Sequence, residues 1–245
     1  TLFVIFGVLI VSVFFIILCN FSPSLNFFGK TFNSPEELIS NCIQEGIQES
    51  EEDFFDSENM MQDTSLLYRY NQETMPFLCY SSEFYMPCVP QSPLFIEAVR
   101  RNMENKVSRK LSKCILTLKE DYEKRGYGFD YSSFDFSLIF NEFEIFYDAQ
   151  MYITISKDEE EILISTKEGS LPSSLPKLLR TAETIINYES VFCEFNYMTW
   201  QAINRDIVIK RFRGGDQKKV YFLKDKNYDK EIKFAIRTGV MPAGI

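Results

Sequence analysis

SPLFIEAVRRNMENKVSRKLSKCILTLKEDYEKRG, residues 92–126, is the stretch on which the fold turns. Phe95, Val99, Met103, Val107, Leu111, Cys114 with Ile115, Leu118 and Tyr122 recur every three or four residues, which aligns them along one face of a helix. Ser92-Pro93 is a start signal and Arg125-Gly126 a stop, so the spacing predicts one long amphipathic helix. Its other face carries Arg100, Arg101, Lys106, Arg109, Lys110 and Lys113. Glu97 and Glu104 interrupt that stripe, which reads as a solvated face rather than a lipid or nucleic-acid surface.

A helix of this length needs a broad apolar partner, and the flanking sequence supplies one. Upstream, 66–70 and 77–80 have strand character, and Pro87 and Pro90 mark a loop. Earlier still, Ser34-Pro35-Glu36-Glu37 combines a cap, a first-turn proline and acids at the positive end of the helix dipole. Leu38, Ile39, Cys42, Ile43 and Ile47 continue that helix at helical spacing into an acidic stretch. There, Asp53, Asp56 and Glu58 lack the alternating ligands and central glycine of a calcium loop and read as an exposed acidic face. Downstream, 134–140, 142–147, 151–156 and 161–166 are rich in β-branched and aromatic residues and read as a strand meander. Ser174-Leu175-Pro176 opens a third helix that the pattern carries to about residue 203. Three more strands are expected at 207–212, 219–223 and 231–236, the first two joined by Arg213-Gly214-Gly215-Asp216. The expectation is an α+β fold with helices packed on antiparallel sheets.

Residues 1–18, TLFVIFGVLIVSVFFIIL, contain no charge, and the first charged side chain is Lys30. Eighteen helical residues span ~27 Å, close to the hydrocarbon thickness of a bilayer. The domain expectation is therefore a hydrophobic helix over 1–25 and an extracellular α+β globule over 26–245. Leu2, Phe3, Val4, Ile5, Phe6, Val8, Leu9, Ile10, Val11, Val13, Phe14 and Phe15 would line a membrane span or a filament core. Gly7 and Ser12 would let neighbouring helices approach.

The formal charge is −9, which argues against a nucleic-acid partner. The sign is unevenly spread: 201–245 holds 11 basic and 5 acidic residues, a net of +6, while ten acids and no base lie between Lys30 and Arg69. Such asymmetry suits head-to-tail packing of copies. Histidine is absent, which removes the commonest general base and metal ligand. The six cysteines are Cys19, Cys42, Cys79, Cys88, Cys114 and Cys193, with no Cys-x-x-Cys pair. Outside the cell they would form disulfides. Spacing alone leaves the connectivity open; Cys79 with Cys88 and Cys42 with Cys114 are the preferred pairs.

The apolar opening resembles the start of mature type IV pilins. Those commonly place glutamate at the fifth position, where this chain has Ile5, so the match leans toward archaeal filaments. Together with SNCIQEGIQ, LSKCILTL and LPKLLRTAETII, the opening also resembles uncharacterised envelope proteins of small archaea with reduced genomes. The first resemblance implies a pilus-like filament subunit: a membrane-held precursor, then a helical homopolymer at the cell surface. In that arrangement the acidic 36–63 stretch and the basic C-terminal third, with Lys218 and Lys219, would set register between copies. The alternative is a single-pass anchored monomer whose domain binds or adheres through a recessed aromatic or acidic site. No phosphate-binding loop, dinucleotide fingerprint or nucleophile elbow occurs, so neither cofactor, small-molecule substrate nor enzymatic activity is expected. Glu142/Glu144 and Glu159–Glu161 are the nominal carboxylate pairs for a glycosidase and read as solvated acids. The abundance of Phe is assigned to core and subunit packing rather than to sugar stacking.

Overall fold

The computed structural model describes residues 34–56 and 66–239. The chain divides into two compact units, Thr1–Leu38 and Ile39–Ile245. Of the first, the described part is the beginning of helix α1 (Pro35–Phe55), where Ser34 Oγ accepts the Glu37 amide at 3.2 Å. The second unit holds the rest of the described chain.

Ile39, Ile43 and Ile47 bring one face of α1 into the core, and the apolar stripe of residues 95–118 does the same for α2 (Phe95–Lys124). The two helices approach closely at Gly46, where an added Cβ would stand 3.3 Å from Val107 Cγ1. A disulfide joins Cys42 to Cys114 across them, with Cα atoms 6.6 Å apart. Lys110 reaches Glu49 at 2.6 Å and Glu45 at 3.5 Å, and Lys106 reaches Asp53 at 3.2 Å. Acids of the 36–63 stretch thus face bases of the same molecule. Helix α2 begins at Phe95 without a side-chain cap, two residues beyond the Ser92-Pro93 signal.

The strands are β1 (Leu67–Tyr70), β2 (Glu73–Tyr80), β3 (Val89–Pro90), β4 (Gly128–Tyr131), β5 (Asp135–Phe140), β6 (Glu144–Gln150), β7 (Ile153–Lys157), β8 (Glu160–Ile164), β9 (Lys167–Pro172), β10 (Ile207–Arg213), β11 (Lys218–Asp225) and β12 (Glu231–Arg237). They form a large sheet in the order β1-β2-β12-β11-β10, with β3 beside β2, and two three-stranded sheets, β4-β7-β8 and β5-β6-β9.

Two expectations about the sheets are corrected. The large sheet is mixed: β12 runs parallel to β2, with a register shift between Ala235 and Ile236. Residue alternation identifies a strand but not the direction of a partner more than 150 residues away. Nor do the middle strands form one meander. After β6 the chain crosses at Met151 and Tyr152 into the other small sheet, and β9 returns to pair with β6. Lys167–Pro172, KEGSLP, lacks the apolar alternation of a strand; Gly169 fits there because a Cβ would fall 2.6 Å from the Tyr147 hydroxyl oxygen.

The third helix is also divided. Helix α3 (Leu175–Phe192) stops at Cys193, which takes a left-handed φ of 56°. After a short break α4 (Tyr197–Ile203) starts under an Asn196 side-chain cap. The break exists because the Glu189 carboxylate accepts the Phe195 amide, holding the chain off the helical path. One apolar core spans α1, α2, α3, both small sheets and the helix-facing side of the large sheet.

Candidate functional site

The large sheet presents two faces with different chemistry, set by alternation along its strands. On the outer side Met75, Phe77, Val220 and Ala235 form a small cluster roofed by Leu66, Tyr68, Tyr70, Tyr80 and Phe222. Among the described residues that layer contains side chains of the sheet and Leu66 beside it, and no helix. Its rings touch in two runs: Tyr70 lies 5.8 Å from Phe212 and Phe212 5.5 Å from Phe222, while Tyr68 lies 5.6 Å from Phe77 and Phe77 5.1 Å from Tyr80. Phe212 is 43 % exposed, and Tyr68, Tyr70, Tyr80 and Phe222 are half-buried.

Charged groups rim the rings. Lys218 Nζ stands 5.5 Å from the Tyr68 ring and Lys233 Nζ 5.8 Å from that of Phe222. Lys233 also bonds both carboxylate oxygens of Glu73 at 3.0 Å, and Lys218 reaches Asp216 at 3.3 Å. Burial works against the charge of Lys233, but Glu73 and Glu231 outweigh it and raise its pKa. At one end Arg237 stacks over Phe84 at 4.9 Å and Tyr80 at 5.6 Å, fixed by bonds to the Asp216 and Ser81 carbonyls. The second disulfide, Cys79–Cys88, ties the loop carrying Phe84 to β2, with Cα atoms 5.4 Å apart. The arrangement is a curled aromatic layer that closes over Met75, Phe77, Val220 and Ala235, with mixed donors and acceptors at its edge.

The inner side of the same strands holds a buried polar cluster. Glu189 of α3 is fully buried, and its Oε1 accepts from the Tyr221 hydroxyl and from the Phe195 amide at 3.2 Å. Its Oε2 lies 2.6 Å from Lys219 Nζ, which also bonds the Cys193 carbonyl at 2.5 Å and Glu194 Oε2 at 3.1 Å. Arg211 and Arg213 approach the other Glu194 oxygen at 2.6 and 2.8 Å. Burial alone would raise the Glu194 pKa; the adjacent Lys219 charge and the Arg211 bond hold it below the ordinary value. Burial and the Glu189 charge together push the Tyr221 hydroxyl well up.

Neither face is singled out by the sequence pattern. Lys219, expected to act as a surface charge that sets register between copies, is instead 6 % exposed and paired within the domain, where it does not face a neighbouring copy. The expected cysteine pairs, Cys42 with Cys114 and Cys79 with Cys88, are the ones joined, and Cys193 is free and buried. Leu2 to Phe15, the expected span or filament core, lie outside the described residues, as does Glu58. No helix among the described residues is long and apolar enough to cross a membrane. Of the nominal carboxylate pairs, Glu142 lines a 250 Å³ pocket with Lys177, Arg180 and Trp200, while Glu144 accepts from Asn141 at 3.1 Å. Glu159–Glu161 occupy the exposed β7–β8 hairpin. No group of three metal-ligating side chains occurs among the described residues. Comparison with known protein families, characterised proteins and solved structures finds no match.

Proposed function

We propose that this chain is a surface-displayed recognition domain, tethered by its N-terminal apolar segment, that binds polysaccharide on the outer aromatic face of its large sheet. The observation that carries this reading is the ring layer of Tyr68, Tyr70, Tyr80, Phe212 and Phe222, rimmed by both ammonium and carboxylate groups, in which Phe212 at 43 % exposure departs from the expectation that phenylalanine serves packing alone. Sugar rings stack their apolar C–H faces on such platforms while their hydroxyls need donors and acceptors at the edge. The two disulfides fit an oxidising compartment. The test is a glycan array probed with the full chain and with a Tyr70→Ala/Phe212→Ala variant. Binding that the variant loses while keeping its thermal transition supports the reading; no glycan binding by the wild type rejects it.

The second reading is the pilus-like filament subunit, assembled through residues 1–18. It is favoured by the uncharged run with small residues at Gly7 and Ser12. Its electrostatic argument is weakened, because the acids of α1 face Lys106 and Lys110, and Arg211, Arg213 and Lys219 meet Glu194 and Glu189. Sheared surface filaments containing the chain, abolished by Phe6→Asp, would support it; recovery only as monomers from the membrane fraction would reject it.

A further inference from the structure

We propose that Lys219 and Glu189 become joined by an intramolecular amide bond, which the folded domain forms by itself. Four observations meet at this point. The amine stands 2.6 Å from Glu189 Oε2, inside the core, with both side chains almost wholly shielded from solvent. Oε1, the oxygen on which charge would grow, already receives the Tyr221 hydroxyl and the Phe195 amide. A second carboxylate, Glu194 Oε2, lies 3.1 Å from the same amine. The Cys193 carbonyl accepts a further bond from Nζ and fixes the direction of the amine. An amine nucleophile, an acyl group, two donors for its oxyanion and a base are thus held together before any reaction begins.

The step balances without any co-reactant. The reaction runs through the neutral pair, reached when one proton passes from Nζ to Oε2 across their 2.6 Å contact. Nζ attacks the carboxyl carbon of Glu189, and the Tyr221 hydroxyl and Phe195 N–H stabilise the negative charge on Oε1. Glu194 takes one proton from Nζ and returns it to Oε2, which departs as water. One C–N bond forms, one C–O bond breaks and the new amide N–H remains beside the Cys193 carbonyl. Helix α3 and strand β11 are then covalently linked on the side of the sheet opposite the ring platform, so the linkage stands or falls independently of what that platform binds.

Intact mass of the full chain, unfolded and with its disulfides reduced, tests this directly. The expected result is a mass lower than the sequence requires by one water, with fragmentation locating the loss in a branched peptide joining residues 189 and 219. Lys219→Arg should restore the full sequence mass. Glu194→Gln should slow the loss of water during refolding about a hundredfold, the scale of one proton-transfer group. Wild-type protein at its full sequence mass would overturn the proposal, whatever the variants do. A wild-type rate in Glu194→Gln would overturn the role given to that carboxylate.

Discussion

Tyr221 and Phe222 are neighbours on β11 and face opposite sides of the sheet. Tyr221 stacks on Phe234 at 5.5 Å and donates to buried Glu189, whereas Phe222 meets Phe212 edge-on at 5.5 Å in the outer ring layer. A single strand therefore serves both the interior polar cluster and the candidate binding face, and the two should respond to substitution differently.

Lys219→Ala removes the amine held against Glu189, ion-paired or amide-linked, and leaves that carboxylate buried with only neutral donors. The expected loss is ~3–5 kcal/mol in urea denaturation, the scale for breaking one side of a buried pair. Phe222→Ala, in the half-exposed layer, should cost less than about 2 kcal/mol. Equal losses would mean that the two faces are not distinct in energy.

The two disulfides should contribute unequally. Cys42–Cys114 closes 72 residues and Cys79–Cys88 closes 9. Loop-closure entropy gives about 4.4 kcal/mol for the first and about 2.6 for the second. Replacing each pair by alanine and comparing denaturation midpoints checks the order, and a larger loss from the short loop would contradict it.

Glu51 offers a pH test. Burial raises its pKa, with the Ser173 hydroxyl at 2.8 Å and Lys230 opposing that in part. A carboxyl whose folded pKa lies above its unfolded one favours the folded state fully below the unfolded pKa, and the benefit fades as pH rises through the folded value. Glu51→Gln should therefore be more stable than wild type at neutral pH, with the difference vanishing in acid. Glu97 has the opposite sign: bonds from Arg100 and Arg101 lower its pKa to about 2, so its contribution is present above the unfolded pKa and is lost as pH falls through that value. Carboxyl-carbon NMR titration should find Glu97 still ionised at pH 3, and a midpoint above 4 would contradict the paired arginines.

Most elements were legible because their apolar spacing is local: α1, α2 and strands β10 to β12 arise from residues every three to four, or every two, along the chain. Pairing was not. Nothing in ETMPFLCY, residues 73–80, specifies a parallel neighbour in 231–237, and KEGSLP at 167–172 carries no strand signal because its fit depends on Tyr147. The break at Cys193 depends on Glu189 turning inward to take the Phe195 amide, a contact that sequence reads only as one more helical glutamate. For the same reason Lys219 resembles any of the C-terminal bases, although strand alternation places it beside Tyr221 on the buried side. The outer ring layer left a trace, since Tyr68, Tyr70, Phe212 and Phe222 sit at i, i+2 or matching positions, but they meet only because the sheet curls until its two end strands, β1 and β10, touch at Tyr70 and Phe212.

Residue-resolved NMR during titration with an array-positive oligosaccharide locates the binding face. Shift changes are expected at Tyr68, Tyr70, Phe212, Phe222 and Lys233, with the α1–α2 face around Glu49 and Lys110 unmoved. Changes centred on α1 and α2, with the outer ring layer silent, would contradict that assignment.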